Sequence, residues 1–336
     1  DVTTINYCDN TKETFVYDGN GNTISATNRN GQIIKWTYDK NNNMTSIIYQ
    51  NGSTQKYTYD KKGRVETITS VSGGITNYEY DEIDRNTAII DALGNKNLFT
   101  YDKYSNLASM EDEKGNVFSF EYDDNGNRTK TKYPNGNSIS SEYDARGRIV
   151  KQKDEHGYTT NYTYNNLDKL IKVEDPKGGT YEYDYNNVGE LIAVYDALGN
   201  KTSYEYDGEG RVIKNILSNG LESTFTYDEV GNVVSAKDYK GVKTNYTYND
   251  NNQLIKKVVD KKTTEYTYNL NDLIDTVKDE SGLTTYKYNE LGELIEKKLP
   301  SKISLKYEYD NSGRLTKAIT PYGNTEYAYD ALDRVT

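Results

Sequence analysis

Cysteine, histidine, proline and long apolar runs are nearly missing from this chain, and each absence removes a class of function. A single cysteine, Cys8, excludes an internal disulfide framework. Together with the lone histidine, His156, it leaves too few ligands for zinc, which takes three or four. No apolar run approaches the roughly 18 residues that read as a membrane-spanning helix, and no leader pattern is visible. No segment shows a sustained apolar stripe at helical spacing, which predicts essentially no helix. Basic clusters are missing too. The 41 Lys and Arg are scattered among 52 Asp and Glu, for a net charge of −11, which disfavours nucleic acid and anionic membrane surfaces. Hydrophobic residues make up only 34% and mean hydropathy is −0.95, low for a packed globule of 336 residues.

So polar a chain invites a reading as disorder. Disordered segments, however, are poor in aromatic and β-branched residues, and this chain holds 35 tyrosines alongside abundant Thr, Val and Ile. The tyrosines are placed with a period. One series runs Tyr17, Tyr38, Tyr59, Tyr80, Tyr101, Tyr122, Tyr143, Tyr164, Tyr185, Tyr206, Tyr227 and Tyr248, at steps of 21 residues. It continues at Tyr268, Tyr288, Tyr309 and Tyr329, at steps of 20, 20, 21 and 20. Asp or Asn follows every one of them. A period held from end to end marks a repeat array. It argues for residues 1–336 as one continuous array, cut mid-repeat at both ends, rather than for two or three globular domains.

Two turn signals lie in each period. Four residues after the tyrosine come Gly21, Asn42, Gly63, Asp84, Ser105, Gly126, Gly147, Asp168, Gly189, Gly210, Gly231, Asn252, Asp272, Gly292, Gly313 and Asp333. Gly, Asn and Asp tolerate positive φ, and only Ser105 departs from that set. The Asp or Asn after the tyrosine can accept a bond from the backbone N–H two residues on, as an Asx-turn. A second glycine series, Gly31, Gly52, Gly73, Gly94, Gly115, Gly136, Gly157, Gly178, Gly199, Gly220 and Gly241, marks the other turn and is continued by Gly282 and Gly323. Lys261-Lys262 and Ser301-Lys302 lack that glycine, so a different loop is expected at both.

Between the turns lie segments of strand length. Phrases such as Tyr57-Thr58-Tyr59, Tyr78-Glu79-Tyr80 and Phe99-Thr100-Tyr101, with Trp36 and Phe225 in the same slot, put both rings on one sheet face. After the first turn come apolar residues three apart, as in Val65 and Ile68 or Leu107 and Met110, a spacing that predicts a bulge or a bend in that strand. The fold expected is all-β: about 16 antiparallel hairpins, on the order of 32 strands, curling into a spiral shell or tube. The tyrosine face should be covered as neighbouring repeats bury one another's rings.

Tyr-Asp-x-x-Gly-Arg/Asn followed by an aliphatic residue, seen from Tyr59 to Val65, Tyr143 to Ile149, Tyr206 to Val212 and Tyr309 to Leu315, resembles the YD repeat of the Rhs family. The phrases Asp91-Ala-Leu-Gly-Asn95 and Asp196-Ala-Leu-Gly-Asn200 are also typical of it. That family includes bacterial Rhs and wall-associated polymorphic toxins, the cocoon components of insecticidal toxin complexes, and teneurins. The resemblance implies a structural shell segment of a secreted or cell-surface bacterial protein, whose β-sheet wall encapsulates or displays a toxin or effector domain. Its partners would be the rest of its own longer chain: a core and cargo domain, or a surface anchor. The self-cleaving core segment of toxin-type members is not found; Asp175-Pro176-Lys177-Gly178 sits at an ordinary second turn. The alternative is an adhesive, glycan-binding surface fibre that contacts cell-surface glycans or another cell.

Catalytic groups are not expected. His156 directly precedes the turn glycine Gly157, a place for an exposed tip rather than a shielded base. Paired acids such as Asp123-Asp124 or Glu111-Asp112-Glu113 recur at turns, where they serve as turn formers before they serve as a glycosidase pair. Asp123-Asp124-Asn125-Gly126-Asn127 gathers oxygens but lacks the bidentate glutamate of a calcium loop. No catalytic, cofactor or metal site is assigned. The residues singled out are the sixteen tyrosines and the turn glycines Gly21, Gly63, Gly126, Gly147, Gly189, Gly210, Gly231, Gly292 and Gly313.

Overall fold

Most hairpins are set by two five-residue turns of one design. In the repeat made by β6 (Thr54–Tyr59) and β7 (Val65–Thr69), the Asp60 N–H donates to the Arg64 carbonyl at 2.9 Å and the Gly63 N–H to the Asp60 carbonyl at 3.0 Å. Gly63 sits at φ 83°. This is a three-residue loop closing on a left-handed residue, the common hairpin connection after the two-residue ones. At the far end of β7 the same two bonds recur between Ser70, Gly73 and Gly74, each at 2.9 Å. The left-handed position explains the glycine series, and Asn42, Asp84, Ser105 and Asp168 occupy it at φ 61° to 70°.

The predicted bulge is present. Tyr59 pairs with Val65 but Thr58 pairs with Thr67, so Glu66 is the extra residue. That slip brings Val65 and Ile68, three apart in sequence, onto the face that carries Tyr59 and Tyr57. The opposite face carries Lys56 and Thr58, both exposed. The same slip recurs just before other motif tyrosines, among them Tyr17, Tyr38, Tyr80, Tyr143, Tyr206 and Tyr309.

The computed structural model describes all of residues 1–336. It contains thirty-two strands, β1 (Thr4–Asn6) to β32 (Gly323–Glu326), in one antiparallel sheet with no helix. The strands group into two compact units, Asn97–Asn245 in one, and Asp1–Lys96 with Tyr246–Thr336 in the other. Within the second of these, turn tips of the early hairpins meet turn tips of the late ones. Arg29 donates to Asp272 at 2.6 Å and pairs also with Asp9, and Asn51 Nδ2 donates to the Asn311 carbonyl at 3.1 Å.

Two loop expectations need correction. At Ser301-Lys302 the ordinary turn survives: Leu299 N–H reaches the Ile303 carbonyl and Lys302 takes the left-handed position at φ 67°. Gly282 and Gly323 do not continue the second glycine series. They open β28 (Gly282–Tyr288) and β32, directly paired with Asp279 and Thr320 across turns of two residues. The Lys261 loop is the third of this kind, with Val259 paired to Lys262. Losing one loop residue accounts for the three steps of 20 in the tyrosine series.

Covering of the tyrosine face is partial. No large side chain is fully buried, and Ala88, Ala193 and Ser223 are the buried residues. The rings are half-buried against their neighbours along the sheet.

Candidate functional site

The motif tyrosine does more than fill space. From Tyr17 to Tyr309 it is the last residue of its strand, and Tyr329 forms an isolated bridge with Val335. Its hydroxyl reaches back into the preceding hairpin. Tyr59 donates to the Met44 carbonyl at 2.7 Å, Tyr80 to Val65 at 2.9 Å, Tyr164 to Ile149 at 3.0 Å and Tyr309 to Leu294 at 2.9 Å. In the shortened repeats the acceptor lies 14 residues back instead of 15, as for Tyr268 on Leu254 and Tyr329 on Leu315. The acceptor is the first residue after the bulged turn, whose carbonyl the strand ladder leaves available. Burial pushes the Tyr59, Tyr80 and Tyr164 phenols above their ordinary value of 10.0, so they donate throughout the physiological range.

The aspartate holds its own turn. Asp60 Oδ1 accepts from the N–H groups of Lys62 and Arg64, and Oδ2 from Arg64 Nε at 2.7 Å. Where the sixth motif residue is Asn, its side-chain amide replaces the guanidinium, as in Asn127 Nδ2 to Asp123 Oδ2 at 3.0 Å. Arg64 and Asn127 as side-chain donors hold Asp60 and Asp123 below the usual carboxylate value of 3.8. This explains why both Arg and Asn satisfy the motif.

Arginine adds a forward link. Arg64 Nη1 donates to the Asp81 carbonyl at 3.0 Å and to Asp84 Oδ1 at 2.7 Å in the next turn, and its guanidinium lies 4.6 Å from the centre of the Tyr80 ring. Arg148 repeats this toward Asp168 and Tyr164, and Arg314 toward Asp333 and Tyr329. The charge at Asp84, Asp168 and Asp333 thus pairs with an arginine one repeat earlier and compensates for a non-glycine residue at positive φ. Each repeat is tied backward by its tyrosine and, in these cases, forward by its arginine.

The other face is a ladder of small hydroxyls and charges. Thr58 meets Thr67 at 2.8 Å, Lys151 meets Glu142 at 2.8 Å, and Lys96 meets Glu79 at 2.9 Å. Such exposed cross-strand pairs contribute little individually.

The residues singled out from the sequence lie at the following places. The turn glycines Gly21, Gly63, Gly126, Gly147, Gly189, Gly210, Gly231, Gly292 and Gly313 all take φ between 76° and 98°. His156 is exposed at a turn tip, with its N–H bonded to Asp154 and Nε2 3.7 Å from Glu155. Asp175 closes an ordinary turn with Gly179 at 2.8 Å. Cys8 is exposed and free. Sequence reasoning missed both inter-repeat links, although Asp84, Asp168 and Asp333 each follow an arginine by one repeat.

A family model described as the teneurin YD-shell matches residues 82–222 and 214–336, and one described as the RHS repeat matches residues 17–54 and 38–75. The chain belongs to the YD-shell family. Among solved structures it is similar to a crystal structure of TcdB2-TccC3, at 16% identity and TM-score 0.66 over 97% of this chain and 20% of that one. It is likewise similar to the Photorhabdus luminescens Tc holotoxin pore carrying the TccC3 mutation D651A, at 16% identity and TM-score 0.63 over 98% and 22%. This YD-shell chain therefore spans about a fifth of those chains, and at that identity the likeness concerns the fold. No curated protein matches the sequence. The YD-shell is a structural repeat, and in this chain the tyrosine bond, with the arginine link where it occurs, adds side-chain ties to the backbone ladder between hairpins.

Proposed function

We propose that this protein is a non-enzymatic wall segment of a secreted or cell-surface YD-repeat protein, one continuous array whose sheet encloses or displays a toxin or effector domain elsewhere in the longer chain. The observation that carries this reading is the backward tyrosine bond, repeated along the array from Tyr17 to Tyr329. It commits the hydroxyls of the motif tyrosines to joining hairpins. A glycan-binding fibre would instead present rings free of such duties, stacked for sugar faces. Likeness to the TcdB2-TccC3 fold supports a shell. The mechanism is mechanical: pairing in register leaves no gap between successive hairpins, so a wall can exclude proteases and solvent.

The test is an electron cryo-microscopy reconstruction of the full-length protein that contains this array, together with limited proteolysis of the intact particle. A closed wall with internal density, and an effector cleaved only after the wall is disrupted, is the expected result. An open fibre with every other domain equally sensitive to protease would sink the proposal.

A further inference from the structure

In the slot two residues before the motif tyrosine every repeat carries an aromatic ring, from Phe15, Trp36 and Tyr57 to Tyr307 and Tyr327, with one exception: Ser141. Its neighbours on the same face are altered as well. Thr131 and Gln152 stand where other repeats place Ile68, Ile89 or Val173, and Arg128 stands where others place Val65 or Leu107. The missing ring leaves a cavity of about 270 Å³. Tyr133 and Tyr143 border it, Arg128, Lys130, Thr131, Ser141 and Gln152 are the polar residues of its lining, and Ile139 and Ile149 the apolar ones.

Those polar groups, Lys130 apart, are uncommitted. No hydrogen bond or ion pair within the chain uses the hydroxyls of Thr131 and Ser141, the Gln152 amide or the Arg128 guanidinium, which only lies 5.5 Å from the Phe120 ring centre. Elsewhere the guanidinium groups of Arg64 and Arg148 are held by aspartates on both sides. A socket bordered by aromatic rings with convergent polar groups is the usual form of a small-molecule site, and this one lies just below the drug-sized range of about 300 to 1,000 Å³. One ring fits it. An apolar aromatic guest would leave two hydroxyls and an amide without partners, which is unfavourable on desolvation. A hydroxyl-bearing pyranose satisfies them, and a carboxylate on that ring meets Arg128 in a two-pronged pair.

We propose that the vacancy at Ser141 is a binding socket for a hexuronate-type sugar, a single acidic pyranose unit of a polysaccharide. The rings of Tyr133 and Tyr143 flank the sugar, Ser141, Thr131 and Gln152 bond its hydroxyls, and Arg128 binds its carboxylate. This assignment is independent of the shell reading, because it concerns two adjacent repeats and either role of the array accommodates it.

Saturation-transfer and titration NMR with D-glucuronate, D-glucose and benzoate on the 336-residue chain test it. Glucuronate is expected to bind, with glucose and benzoate each weaker by roughly tenfold for want of the charge or the hydroxyls. Ser141→Tyr refills the slot as in every other repeat, so it should abolish binding while leaving the melting temperature unchanged or raised. Arg128→Gln, at an exposed side chain, should fold normally and weaken glucuronate to the level of glucose. Glucuronate binding that is absent, that survives both substitutions, or that is matched by glucose or benzoate overturns the assignment. Should Ser141→Tyr fail to fold, the Arg128→Gln comparison decides alone.

Discussion

The hydroxyl of Tyr164 lies 3.0 Å from the carbonyl of Ile149, in the hairpin before its own. Between them runs the boundary that the array must seal: β14 (Ser138–Tyr143) and β15 (Ile149–Lys153) on one side, β16 (Thr159–Tyr164) on the other. A backbone ladder already joins β15 to β16, so the phenol adds a side-chain bond beside it, on the face where the rings are half-buried.

Replacing Tyr164 with Phe deletes that bond and keeps the ring, including its contact with Arg148. One intramolecular hydrogen bond contributes about 1 kcal/mol. Repeat arrays open locally, so the effect should be read locally. Amide hydrogen exchange is expected to quicken roughly fivefold in β15 and β16, in line with about 1 kcal/mol, and to stay unchanged in the hairpins near Tyr268. A uniform change along the chain would show that the bond does not act at its own boundary.

Arg148 makes two separable links, to Asp144 in its own turn and to Asp168 in the next. Arg148→Asn should retain the first, as Asn127 does with Asp123, and lose the second. The Asp168 side chain is more than half exposed, so the loss should be small and should disappear at about 1 M salt, where the screening length falls to about 3 Å. Equal effects of the substitution at low and high salt would contradict the forward-link account.

Asn215 has its Oδ1 buried without a hydrogen-bond partner. It pairs with Tyr204 and Ser223 in a slot that other repeats fill with Ile68, Ile89 or Val194. Asn215→Val is expected to stabilise its hairpin by about 1 to 2 kcal/mol, by removing an unsatisfied acceptor. Slower local exchange around β21 (Val212–Ile216) would report it, and faster exchange would refute it.

Lys302 occupies the left-handed turn position at φ 67°, where neighbouring turns use glycine. An L-residue there costs about 1 to 2 kcal/mol, so Lys302→Gly should stabilise the loop and Gly147→Ala, at φ 76°, should weaken its own. Opposite shifts in local exchange are the expected readout.

Acid and alkali should each loosen the clamp. Hydrogen bonds from Arg64 and Arg148 place Asp60 and Asp144 below 3.8. The contribution of these carboxyls is therefore complete above the unfolded value and is lost as pH falls through the lower folded value. Burial places Tyr59, Tyr80 and Tyr164 above 10.0, so their contribution is complete below pH 10 and is lost as pH rises through the higher folded value. Thermal melting should show a plateau from about pH 5 to 9, with a fall on both sides. A steady slope through neutrality would not fit.

Much of this is legible in the sequence. Alternation in Tyr57-Thr58-Tyr59 gave the strand and its face, and the three-residue spacing of Val65 and Ile68 gave the bulge, because both patterns are local. The tyrosine hydroxyl and the Arg64–Asp84 pair were not read, since they join residues 15 to 20 apart whose proximity depends on how one hairpin lies beside the next. Gly282 and Gly323 misled for a related reason. A glycine near the right interval looks like a turn residue, but the loop had lost a position and the glycine had moved into the strand.

The direction of the tyrosine bond has a bearing on biosynthesis. Each phenol finds its acceptor 14 or 15 residues nearer the N-terminus, in chain that has already left the ribosome. Its own strand likewise pairs with the strand just before it. The strand that ends on a motif tyrosine can therefore lock onto finished structure the moment that tyrosine emerges, without waiting for anything still to be translated. Growth of this kind proceeds from one end, adds a fixed increment at a time, and leaves one unfinished edge exposed however long the array becomes.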